Sequence, residues 1–153
     1  MNLRCLRGTA AVSLLWLAVA PHVPAQGLSP KMKYSLYCGG CHGLDGRGDI
    51  HADVPPLPPN VGAFLKDPEG RRYLTQVGGV MSTGLSDADT AVVLNYVLHT
   101  FGQGSVPKDE RDYDGAEVSA LRSRRVEDPV ALRRQIVRRL QARHIAVPEY
   151  PWP

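Results

Sequence analysis

The chain has 153 residues, 43% of them hydrophobic and 22% charged, with 18 Lys and Arg against 15 Asp and Glu for a formal net charge of +3. So small a basic excess gives no support to a nucleic-acid binder, and the length allows one modest domain with an appendage rather than two full domains.

The opening stretch MNLRCLRGTAAVSLLWLAVAPHVPAQG carries Arg4 and Arg7, an apolar run from about Thr9 to Ala20, and the small-residue pattern Val23-Pro24-Ala25. This is the pattern of a secretory signal peptide cleaved after Ala25. The apolar run falls short of the ~20 residues that cross a bilayer, and no later segment comes close, so the expectation is an exported, soluble chain with no membrane span. An uncleaved anchor is the alternative. Cleavage would remove Cys5, leaving Cys38 and Cys41, and lower the net charge to about +1.

In the mature chain a short helix is expected from Lys31 to about Tyr37, with Leu28, Met32, Leu36 and the tyrosines as its apolar face and Pro30 in its first turn. It runs into Cys38-Gly39-Gly40-Cys41-His42. The following GLDGRGDIHADVPPLPPNVG is too rich in glycine and proline for a regular element and too long for a mere connector, so it is expected to wrap something. A second helix is expected from Pro68 to about Val77, stopped by Gly78-Gly79. The strongest helical signal follows Ser86, a good N-cap, with Asp87 and Asp89 in the first turn and Val93, Leu94, Val97, Leu98 and Phe101 at helical spacing before Gly102.

Beyond a polar linker over 103–114, two more helices are expected, from about Gly115 to Arg124 and from about Asp128 to Arg143, before the extended, proline-rich end VPEYPWP. Leu132, Ile136, Val137 and Leu140 form a stripe that must pack on the preceding domain, while Arg134, Arg138 and Arg139 project elsewhere. With no internal repeat and no alternating strand pattern, the chain reads as all-α. Its expected organisation is a signal peptide over 1–25, a core domain over 26–104 and a helical, basic extension over 105–153.

Two cysteines three apart, followed at once by histidine, admit three chemistries. A redox dithiol wants a βαβ context that the flanking sequence lacks. A structural zinc site needs four ligands and would have to recruit His42 and a distant histidine. The spacing best suits covalent haem: thiols at i and i+3 reach the two vinyl groups of one porphyrin, and the next residue turns its imidazole toward the iron.

The segments YCGGCHGLDGRGD and GVMSTGLSDADTAVVLNYVLHTF, joined through a proline-rich loop, make residues 31–101 resemble a monohaem class I cytochrome c. The resemblance implies a small all-α fold with the first and last core helices crossing beside the haem edge, and electron transfer rather than chemistry on a substrate. It implies one haem c, held through thioethers to Cys38 and Cys41, with His42 as proximal iron ligand. The second ring nitrogen of that histidine is then expected to meet a backbone carbonyl near Val54-Pro55-Pro56, with Pro55 favoured over a reading of VPPLPP as a stiff connector. The PEGRRYL segment and the basic extension resemble, more narrowly, small cytochromes that accompany bacterial periplasmic dehydrogenases.

Met81, in the glycine-bounded stretch before the last core helix, stands where the family has its distal methionine ligand; Ser82 replaces the proline the family commonly has next. The alternatives are a gap-filling Met81 with an open iron, or a histidine ligand from His51, His99 or His144. Arg71, Arg72 and Tyr73 are candidates for contacts to haem propionates, against the reading of a charged helix face with a core tyrosine.

Eight arginines lie between Arg122 and Arg143 against Glu127 and Asp128. Either this arm docks an acidic partner or its arginine stems cover apolar surface. The leading function is a one-electron carrier between a periplasmic dehydrogenase and a terminal acceptor. Its rivals are a haem protein with an open distal site that binds a small ligand, and a non-catalytic haem subunit of a larger redox complex.

Overall fold

A computed structural model describes residues 27–147. The expected signal peptide over 1–25 and residues 148–153 of the proline-rich end lie outside the described residues. Helix α1, Pro30–Tyr37, starts where the Ser29 hydroxyl accepts from the Met32 amide, with proline at the first helical position. It breaks at Cys38, whose amide still donates to the Tyr34 carbonyl at 2.8 Å, and a single turn, α2 (Gly39–His42), carries the rest of the motif.

The wrapping loop that follows is less irregular than glycine and proline content suggested. A 3-10 turn spans Ile50–Ala52, an isolated antiparallel bridge joins Asp49 to Val54, and a longer 3-10 helix spans Val61–Lys66. In that last segment Val61, Gly62, Ala63, Phe64 and Leu65 are all buried. The tight turn follows from packing on later helices, which a local sequence pattern does not reveal.

Helix α3 spans Gly70–Gln76. It starts two residues after the expected Pro68, because the Asp67 carboxylate accepts from the Glu69 amide and holds a turn there. Val77 is extended, ending α3, yet Gly78-Gly79 do not simply stop a helix: they begin the short helix α4, Gly78–Ser82. Met81 therefore sits on a helical turn rather than in an open loop. Helix α5, Asp87–Phe101, is as expected, with the Ser86 hydroxyl accepting from the Asp89 amide and Val93, Leu94, Val97, Leu98 and Phe101 buried. Helices α6, Gly115–Ser123, and α7, Pro129–Gln141, follow, N-capped by Asp114 and Asp128. Among the described residues there is no strand, and no helix is long and apolar enough to cross a membrane.

The core is built where α1 packs on α5. Tyr34, 1% exposed, sets its ring 5.4 Å from Tyr96 and 5.2 Å from Phe101. Lys33 beside it is buried and paired with buried Asp89. This corrects the expected apolar face of α1 in part: Tyr34 is buried as expected, but Met32, Leu36 and Tyr37 are exposed and Lys33 is buried in their place. A lysine can take a core position because its ammonium finds a carboxylate partner there. Further along, α6 packs on α5 and α3, and α7 on α3 and the 61–66 turn. Leu132, Ile136 and Leu140 are buried and Val137 is partly so, as the stripe required.

Candidate functional site

Cys38, Cys41 and His42 stand at the junction of α1 and α2, and Tyr34 grips this junction from both sides. Its carbonyl takes the Cys38 amide, and its hydroxyl donates to the Gly43 carbonyl at 2.7 Å. Burial, reinforced by the nearby Cys38, pushes the Tyr34 phenol up to about 12. Cys38 is half-buried and Cys41 exposed, and the two sulfurs are not joined to each other. Burial also raises the Cys38 thiol, with Cys41 adding to it.

The wrapping loop supplies the partner of the imidazole. The Gly48 amide donates to the His42 carbonyl at 2.9 Å, Asp49 and Val54 exchange amide–carbonyl bonds at 3.0 and 2.9 Å, and the Leu57 amide donates to the Gly46 carbonyl at 2.8 Å. These bonds fold the proline-rich strip back over the motif. The Pro55 carbonyl then lies 3.2 Å from His42 Nδ1. Only glycine fits at position 48: with φ +66°, a Cβ there would lie 2.4 Å from the Val54 oxygen and 2.7 Å from that of Pro55. Burial lowers the His42 pKa, and the bond to Pro55 opposes it in part. Nδ1 is thus the donor of a neutral ring, and the Nε2 lone pair remains for a metal.

This donor set fits a haem c better than a bare ion. Among the described residues no three His, Cys, Asp or Glu side chains come together as a metal-ion site. What flanks the motif is apolar surface: Leu36 and Tyr37 just before it and Leu44 just after it are exposed, Leu44 by 73%. Further along the chain Met81 is exposed too, by 51%. Exposed apolar side chains gathered near one motif call for a covering group, and a porphyrin is a flat apolar one.

The other candidates fall elsewhere. Arg71 is committed to the extension: its guanidinium makes two 2.6 Å bonds to Glu117, pairs with Glu110, and lies 3.9 Å over the Tyr113 ring. Arg72 bonds Glu69 at 2.7 Å, and Tyr73 is core, packed 5.0 Å from Phe64. His99 is exposed and lies 2.7 Å from Asp112. His51 and His144 are exposed. Several arginines of the extension also reach back to earlier residues. Arg139 bonds both Asp67 oxygens, at 2.7 and 2.9 Å, Arg143 donates to the Lys66 carbonyl, and Arg133 is buried 5.5 Å over the Phe64 ring. The three expected to project away from the stripe, Arg134, Arg138 and Arg139, are all exposed, and Arg139 also ties α7 to Asp67. Sequence reasoning missed the Tyr34 hydroxyl bond to Gly43; a tyrosine four residues before the first cysteine was its only signal.

An all-α chain whose first and last core helices cross beside a Cys-x-x-Cys-His turn has the class I cytochrome c architecture. The chain is 31% identical over 112 residues to cytochrome c-552 of Thermus thermophilus, an alignment covering 61% of this chain and 85% of that protein. A second cytochrome c-552 from the same species aligns at 31% over 112 residues, with 75% of its length covered. No family model matches the chain. The chain belongs to the c-type cytochromes. It is accordingly an electron-transfer protein rather than an enzyme, and the cofactor of the family is covalently bound haem c with its iron.

Proposed function

We propose that this protein is an exported, periplasmic monohaem electron carrier, with Cys38 and Cys41 as the thioether attachment points, His42 as proximal ligand and Met81 as distal ligand. It accepts single electrons from a periplasmic dehydrogenase and passes them to a terminal acceptor protein. In this reading residues 1–25 are the signal peptide, 26–104 the cytochrome domain and 105–153 the extension. The observation that carries it is the contact of His42 Nδ1 with the Pro55 carbonyl at 3.2 Å. It orients an imidazole that immediately follows two free cysteines one helical turn apart. Haem c supplies the reversible one-electron couple of its iron. The polypeptide holds the ring nitrogen in one tautomer, covers part of the group with the 43–60 loop, and offers a thioether, which favours the reduced iron.

Supporting the carrier over a catalyst is the likeness to cytochrome c-552. The exposure of Met81 favours one second reading, a labile distal position that admits a small ligand.

The test is mass analysis and absorption spectroscopy of the full chain produced in a bacterial host that attaches haem to exported proteins. The expected product begins at Gln26, carries one covalent haem, shows a weak methionine band at the red end of its ferric spectrum, and binds carbon monoxide slowly when ferrous. A product with both thiols unmodified overturns the haem assignment. Rapid carbon monoxide binding transfers the reading to the labile site. Stopped-flow reduction by purified periplasmic dehydrogenases decides the donor, and failure of all of them to reduce the protein faster than a soluble chemical reductant rules that partner class out.

A further inference from the structure

Met81 lies on a segment, residues 77–85, that packs on the core only through the half-buried side chains of Val77, Val80 and Leu85. Its turn α4 buries no residue, has no side-chain N-cap, and leaves Gly78, Gly79, Met81 and Ser82 exposed. Beyond those contacts, where the segment sits is set by its two ends, Gln76 at the close of α3 and Ser86 at the start of α5.

Both ends are held by the C-terminal extension, and by one side chain in particular. Arg122 Nε donates to the Thr75 carbonyl at 3.2 Å, in the last turn of α3. Its Nη1 donates to Asp87 at 2.7 Å and its Nη2 to the Thr90 hydroxyl at 3.2 Å, both in the first turn of α5. Beside it Gln76, 4% exposed, donates to the Leu121 and Arg124 carbonyls at 2.9 and 3.2 Å and accepts from the Val126 amide at 2.8 Å. A planar guanidinium with donors in a fixed fork spans the two anchor points as a rigid strut. Thr75 and Thr90 are fully buried, so water does not readily replace it.

We propose that Arg122 is a positioning residue for Met81: by fixing the separation of the end of α3 from the start of α5, it holds the 77–85 segment where the thioether reaches the iron. The inference rests on the reading of Met81 as distal ligand. A segment fastened at both ends has fewer conformations in which the sulfur is away from the metal. Loss of the strut therefore enlarges the detached population, by about tenfold for a charge-assisted network of this kind.

The experiment compares full-length, haem-bearing parent, Arg122→Gln, Met81→Ala and the double variant. Carbon monoxide association to the ferrous forms and the weak red ferric band are read well below the unfolding temperature. Met81→Ala is expected to lose the band and bind carbon monoxide fast. Arg122→Gln is expected to bind about tenfold faster than the parent, as the detached population grows, and the double variant no faster than Met81→Ala. Parent-like binding in Arg122→Gln beside fast binding in Met81→Ala overturns the strut, whatever the change in unfolding temperature. A parent-like Met81→Ala instead overturns the ligand assignment. If Arg122→Gln does not fold, Thr90→Val, which removes one of the bonds, carries the same test: faster binding than the parent supports the strut and parent-like binding overturns it.

Discussion

The hydroxyl of Tyr34 and the carbonyl of Gly43 meet at 2.7 Å across the whole Cys-x-x-Cys-His motif, so one buried ring on α1 fixes the residue that follows His42. Tyr34→Phe keeps the ring packing on Tyr96 and Phe101 and removes only this bond. The expected loss is about 1 kcal/mol of unfolding free energy, measured by chemical denaturation of the haem-bearing protein. Because burial and Cys38 push this phenol up to about 12, it stays neutral while exposed tyrosines ionise near 10. Ultraviolet titration should therefore show Tyr34→Phe missing a step near 12, with the still more alkaline step of buried Tyr113 retained; loss of a step at ordinary pH would refute the buried, bonded phenol.

Gly48 has no room for a side chain against the Val54 and Pro55 carbonyls. Gly48→Ala is expected to displace the Pro55 oxygen from His42 Nδ1 and to cost more than about 1 kcal/mol, since alanine also strains a left-handed backbone. Its signature is a ferrous absorption spectrum and a reduction potential both shifted from the parent's. Unchanged values of both would mean that the loop does not orient the imidazole.

Three carboxyls lie below their ordinary range. Asp89 is lowered first by its bond to Lys33, Glu117 by its bond to Arg71, and at Asp67 burial pulls upward but the Arg139 bonds prevail. Each is a stronger acid folded than unfolded, so on acidification the unfolded chain takes up protons first. Their contribution is complete above about pH 5 and is lost as pH falls through about 4 and below. Urea midpoints at neutral and acid pH should drop together for the parent, and less steeply for Asp67→Asn. Parallel slopes for the two proteins would rule out the Asp67 contribution.

Ile136 and Leu140 are completely buried on α7. Ile136→Ala is expected to destabilise the protein by about 2–5 kcal/mol, read as a lowered thermal midpoint of a single transition. A separate early transition, with the haem spectrum intact through it, would mean that the extension melts independently.

The elements that sequence alone revealed are those whose cause is local. Ser86 caps α5 and Gly102 ends it, the α7 stripe repeats at helical spacing, and Pro30 opens α1, all within one turn of the residues they affect. The Pro55 contact was legible through resemblance to cytochromes rather than through any local rule. What stayed hidden depends on distant partners. Lys33 reads as a surface residue until Asp89 stands opposite it, and the tie that exposed Arg139 makes is visible only once buried Asp67 stands beside it. The turn at 61–66 is buried by helices still to come, and Gly78-Gly79 reads as a stop because glycine is a poor helix former, although one turn follows.

The ties from Arg122 to Thr75, Asp87 and Thr90 also set an order of events during biosynthesis. Ribosomes deliver a polypeptide from its amino end, so Cys38, Cys41 and His42 emerge while Arg122 and the α7 stripe do not yet exist. The two helices that flank Met81 therefore lack these ties until the last-made third of the molecule arrives.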